Sequence, residues 1–209
     1  MQIMRWSLVL FALLASPVWA QDSDSVQLRN DCRQAVQILT SGHPTPHEEW
    51  ALTVIHRCGS EGGAALASAL RNARASTDTD YLSQLSARAR WLRDGTFLNA
   101  ALEVAGDKAA TAQARLESFV VLLYALRLAG DPVSGVPIFS QELSSPLNPA
   151  SGLPTGSCST SRFSTGAVKP AEGAPLPGNY RDQISALGRR IFRDASEPLA
   201  LRSAAFCLY

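Results

Sequence analysis

The segment from Lys108 to Ala129 constrains this chain more than any other. Leu116, Phe119, Val120, Leu123 and Leu126 recur at helical spacing, and Val121, Leu122, Tyr124 and Leu128 fill much of the remaining circumference. A helix that is apolar nearly all round must be covered on several sides. The chain therefore needs other helices to pack around this one. The preceding stretch from Asp94 supplies a partner, with Gly106-Asp107 as the turn between the two.

The remaining periodicity is also helical. Leu28, Cys32, Ala35, Val36 and Leu39 form one stripe between Val26 and Thr40, before the stop Ser41-Gly42-His43-Pro44. Thr45, Pro46 and Glu48 read as a capping box opening a second helix, which carries Trp50, Val54 and Ile55 inward to Cys58 and stops at Gly59. A third spans Glu61 to Ala75, its first turn weakened by Gly62-Gly63. A fourth runs to Arg93 with Leu82, Leu85, Ala89 and Leu92 inward. Ile184, Leu187, Ile191 and Phe192 mark another helix. Ser196 and Pro198 open the last one, with Leu201, Ala205, Phe206 and Leu208. The expected fold class is all-α, built from antiparallel helix hairpins.

Two regions depart from this pattern. Met1 to Ala20 reads as a secretory signal peptide, with Arg5 before an apolar run and Val18 and Ala20 at a small-residue cleavage site. Residues 21–209 then form a single helical domain, with Gln21 to Ser25 expected to fray. From about 130 to 179 the chain holds eight of its twelve Pro and seven of its fourteen Gly. That composition reads as one long irregular insertion.

Removing Arg5 with the signal peptide leaves 18 basic residues (19 less one) against 18 acidic ones. A neutral chain has no bulk field for nucleic acid or an anionic membrane. No second long apolar run suggests membrane insertion after cleavage. Export also bears on the four cysteines, since an oxidising compartment makes an even count read as disulfides. The preferred pairing is Cys32–Cys58, at one end of the first hairpin, and Cys158–Cys207, stapling the insertion to the last helix.

No residue set reads as catalytic, cofactor-binding or metal-binding. His43, His47 and His56 are too scattered for one ion, Pro44 and Pro46 separate the first two, and no H-E-x-x-H pattern occurs. No G-x-S-x-G elbow or phosphate loop is present. Arg189-Arg190 and Arg88-Arg90-Arg93 are small basic clusters that read first as solvated faces.

One internal spacing repeats. Asp80 precedes Arg88 by eight residues, as Asp107 does Arg115 and Asp194 does Arg202, and Phe119 and Phe206 each follow their Arg by four. Eight helical residues span about 12 Å, so each Asp is expected to meet the Arg of a neighbouring hairpin, giving a ladder. Helix hairpins with a turn Asp and a second-helix Arg resemble HEAT-type repeats of the α-solenoid class. The likeness covers Glu61 to Ala129 and resumes from Tyr180 to Tyr209. Here the spacing is longer than in that family, and its first-helix Pro is absent. The resemblance implies stacked hairpins and a concave binding surface. The expected role is a non-catalytic module holding a protein or peptide in the periplasm or secreted space. Arg162-Phe163 in the insertion is the expected contact. The alternatives are an enzyme or small-ligand binder with dispersed site residues, and a structural subunit of an assembly.

Overall fold

The computed structural model describes residues 18–89, 94–129, 136–137, 158–159 and 176–208. Side-chain surroundings are described for 25–89, 94–127, 129 and 176–208. The helices are α1 (Val18–Thr40), α2 (Glu48–Val54), α3 (Gly59–Asn72), α4 (Thr79–Ala89), α5 (Gly95–Gly106), α6 (Ala112–Leu128), α7 (Tyr180–Arg193) and α8 (Leu199–Phe206). A two-residue antiparallel ladder pairs β1 (Val136–Pro137) with β2 (Cys158–Ser159), Val136 opposite Ser159. The all-α expectation holds for the rest of the described residues. None of their helices is long and apolar enough to cross a membrane.

Consecutive helices pair as hairpins: α1 with α2, α3 with α4, α5 with α6, α7 with α8. The odd helices also touch in order, α1 on α3, α3 on α5, α5 on α7. The even ones do the same, α2 on α4, α4 on α6, α6 on α8. Each hairpin thus buries against its neighbours the faces that pairing alone leaves exposed. Helix α6 is the centre expected of it. Every residue from Ser118 to Leu126 is buried, and Phe119, Leu122, Leu123 and Ala125 are completely inaccessible. It packs on α4, α5 and α8, and β1 lies against both α6 and α8.

Several helix ends differ from the sequence reading. Helix α1 includes residues 21–25, which were expected to fray; no Pro or Gly interrupts 18–40. The capping box at Thr45 does not form. Thr45 donates its hydroxyl back to the Gly42 carbonyl, His47 stands at the N-cap with a left-handed φ of 65°, and Glu48 turns to His43. The last helix starts later than expected, because the Ser196 hydroxyl donates to Asp194 rather than capping; Pro198 takes the N-cap position. Residues 90–93, with Trp91, Leu92, Arg90 and Arg93, lie outside the described residues.

Cys32 and Cys58 are bonded, with Cα atoms 5.4 Å apart. The bridge ties α1 to the turn after α2. Cys207 is also in a disulfide. The side chain of its expected partner, Cys158, falls outside the described residues.

Gly62 does more than weaken a first turn. A Cβ there would stand 2.3 Å from the Ile55 carbonyl oxygen, a backbone atom that cannot swing away. The glycine lets α3 start directly against the end of the first hairpin. Gly62→Ala is therefore expected to destabilise the fold by about 1–3 kcal/mol, the usual cost of overpacking a tight contact. Urea denaturation measures it, and an unchanged midpoint would contradict the close approach.

Candidate functional site

Among the described residues, a series of polar contacts follows the hairpin turns. Polar groups of each turn meet the next. The first link is His43, in the α1–α2 turn. Its Nδ1 is 2.9 Å from Glu48 Oε2, and its Nε2 is 3.6 Å from Asp78 Oδ2 in the α3–α4 turn. Its ring stacks on Tyr81 of α4, with centroids 3.8 Å apart and planes 8° from parallel. Asp78 Oδ1 also accepts from the Tyr81 amide, which fixes the start of α4. Burial pushes the Tyr81 hydroxyl above the usual tyrosine range, and the neighbouring Glu48 carboxylate adds to the effect.

The second link is Thr111, the N-cap of α6. Its amide donates to the Arg74 carbonyl at 2.8 Å and its hydroxyl to the Ser76 carbonyl at 2.9 Å. The same hydroxyl oxygen accepts from the Ala114 amide. One side chain thus caps its own helix and holds the preceding turn.

The third link is ionic. Arg115 Nη1 and Nη2 donate to the two carboxylate oxygens of Glu197 at 2.6 and 2.8 Å, with both side chains 4% exposed. Arg115 Nε donates to the Ala105 carbonyl at 3.1 Å. The guanidinium therefore closes its own hairpin through one nitrogen and reaches the next through two. Beside it, Lys108 Nζ pairs with Asp194 Oδ2 at 2.7 Å and lies 4.0 Å from Glu197 Oε1.

This arrangement gives the repeated Asp and Arg separate duties. Asp107 and Asp194 shape their turns, each accepting through Oδ1 from the amide two residues on, Ala109 and Ser196, at 2.9 Å. Arg115 and Arg202 reach back ten residues to a carbonyl at the end of the preceding helix, Ala105 and Phe192. The expected pairing of each Asp with a neighbour's Arg is corrected. Asp194 takes Lys108, and Arg115 takes Glu197, because the Asp is held in the turn while Glu197 points into the interior. Asp80 and Arg88 are exposed and take no part in these links. The same backward step from Arg88 would land on Asp78, whose carbonyl already accepts from Leu82.

Sequence reasoning missed His43, Tyr81, Lys108 and Glu197. Lys108 directly follows a repeat Asp, and Glu197 stands three residues after another. That proximity was the available signal. Arg162 and Phe163, proposed as partner contacts, lie outside the described residues. Chemically, most of the grouped residues partner one another, while Glu48 Oε1 is buried with no hydrogen-bond partner among the described residues. Both His43 ring nitrogens face carboxylates, and Arg115 and Glu197 satisfy each other. Among the described residues, no group of three or more His, Cys, Asp or Glu could hold a metal ion.

No family model, curated protein or solved structure matches this chain.

Two outcomes test the third link. Arg115→Ala should cost about 3–5 kcal/mol, since it strands the buried Glu197 carboxylate. The double variant Arg115→Met/Glu197→Met should cost less than the single one, because no charge is left unpaired. Equal losses in chemical denaturation would show that packing, not the ion pair, sets the cost.

A pH measurement tests the neighbouring pair. The hydrogen bond from Lys108 holds the Asp194 carboxyl well below the usual carboxylate range, with further bonds from Ser196. A depressed folded pKa gives stability that is present above the unfolded carboxylate value and lost as pH falls through the folded one. Lys108→Ala should move the Asp194 carboxyl NMR titration upward toward the ordinary range. A titration that stays put would assign the depression to Ser196 alone.

Proposed function

We propose that this chain is an exported α-solenoid of the HEAT type that holds a protein or peptide and performs no catalysis. The observation that carries the reading is the order of contacts. Odd helices touch odd and even touch even along the described series, and polar groups of every hairpin turn meet the next. Stacks of this kind present extended surfaces shaped for polypeptide partners.

The ends of the series support the same reading. Terminal units of a stack need polar outer faces. Helix α1 exposes Gln27, Arg29, Asn30, Arg33, Gln34 and Gln37, and α7 exposes Arg181, Asp182, Gln183, Arg189, Arg190 and Arg193. Export is supported by the signal-like first twenty residues and by the Cys32–Cys58 bridge, a bond typical of oxidising compartments. In this reading the segment 130–179, with Arg162 and Phe163, adds partner contacts beside the helical surface.

Affinity capture from a cell-envelope extract tests the proposal. The disulfide-intact chain from residue 21 would be compared with the same chain reduced and alkylated, and with one lacking residues 133–156. A stoichiometric protein partner is expected on the intact chain and not on the reduced one. Loss of that partner with residues 133–156 would place contacts in the insertion, and its retention would place them on the helices. A chain that recovers no partner, and instead turns over or tightly binds a small molecule, would overturn the reading.

A further inference from the structure

The proposed binding role leaves open which face of the stack meets the partner. The links between turns alter the charge balance unequally along the array. In the last hairpin, the turn acids Asp194 and Glu197 are both taken by cations of the preceding hairpin, Lys108 and Arg115. They are withdrawn from the arginines of their own hairpin. Helix α7 carries Arg181, Arg189, Arg190 and Arg193 against one acid, Asp182, near its opposite end. Helix α1, at the other end of the series, has Arg29 and Arg33 against Asp22, Asp24 and Asp31, so its sequence is close to balanced.

Geometry concentrates the excess on α7. Arg189 and Arg193 are four residues apart, so they lie one turn above the other on a single face, and both are exposed. Arg190 flanks them, lying over the end of α5 with Nη2 3.5 Å from the Gly106 carbonyl. The buried side of α7, with Ile184, Leu187, Gly188 and Ile191, is directed at α5 and α8. Its outer side has no neighbouring helix among the described residues. Two guanidinium forks at this spacing suit successive carboxylates, because each fork can take a carboxylate with two parallel hydrogen bonds.

We propose that the outer face of α7, centred on Arg189 and Arg193, docks an acidic peptide segment of a partner protein. This rests on the reading of the chain as a binding module and names the surface and the partner chemistry. The complementarity is one of charge: the face carries an excess of cations, while the turn acids of its own hairpin, Asp194 and Glu197, are held by the preceding one. Binding should weaken with salt, as exposed charge contacts do.

Fluorescence anisotropy with a short Glu-rich peptide tests it on the full disulfide-bonded chain. Arg189→Glu/Arg193→Glu should weaken binding by about tenfold or more, equivalent to about 1.4 kcal/mol at the least. Arg29→Glu/Arg33→Glu makes the same change in net charge on α1 and should leave binding within about twofold. Circular dichroism melts of both variants establish that the fold persists. If Arg189→Glu/Arg193→Glu unfolds, Arg189→Gln/Arg193→Gln replaces it, with a several-fold loss expected. Equal losses from both pairs would overturn the proposal, because net charge alone would then suffice. It also fails if the peptide does not bind, or if anionic phospholipid vesicles bind the α7 face more tightly than the peptide. Those failures differ from failure of the binding role itself, which would appear as no captured partner on the intact chain.

Discussion

A single helix hairpin cannot bury both sides of its two helices, and everything in this molecule follows from that limit. Pairing α5 with α6 covers one side of each, but α6 is apolar around most of its circumference. It must also have α4 on one flank and α8 on the other. The hairpins therefore come as a series or not at all. The helices that flank α6 have faces of their own to cover, and the need passes outward. Among the described residues it ends at α1 and α7, whose exposed residues are mainly polar, Val26 aside.

Apolar packing does not by itself fix how far one hairpin slides along the next. The polar contacts between turns do, each through a different chemistry. One is an imidazole between two carboxylates, stacked on a phenol. Another is a threonine shared between a cap and a neighbouring turn, and the third is a guanidinium split between its own hairpin and the next. The third is the most deeply buried, where a charge pair has geometric specificity but little tolerance for losing one member. It also joins two hairpins that are far apart in sequence, Arg115 and Glu197 being 82 residues apart. A connection of that length gives little guidance on docking, so the contact itself must carry it.

Glycine and disulfide act where side-chain packing cannot. Gly62 admits the Ile55 carbonyl at a distance no Cβ would permit, and Gly188 sits where a Cβ would meet Leu208 and Phe119. Cys32–Cys58 closes the first hairpin covalently. Among the described residues that hairpin has a neighbouring hairpin on one side only, and the covalent tie adds to the packing that holds it.

The sequence by itself determined the helices, their hairpin order, the central place of α6 and the turn at Gly106-Asp107, and it favoured the Cys32–Cys58 pairing that the structure shows. These follow from period, apolar content and chain direction, which are local properties. It also marked Asp107, Arg115, Asp194 and Arg202 as repeated, because equal spacing is visible without coordinates. Only the tertiary structure decided their partners. Whether Arg115 meets Asp194 or Glu197 depends on the offset between two hairpins far apart in sequence, and on which carboxylate faces the interior. The same reason hid His43: its partners Asp78 and Tyr81 lie on another hairpin, and its use of Glu48 removed a capping box that Thr45 and Glu48 spell out in sequence. Local rules set the elements, while competition among hydrogen-bond partners is resolved only where the elements meet.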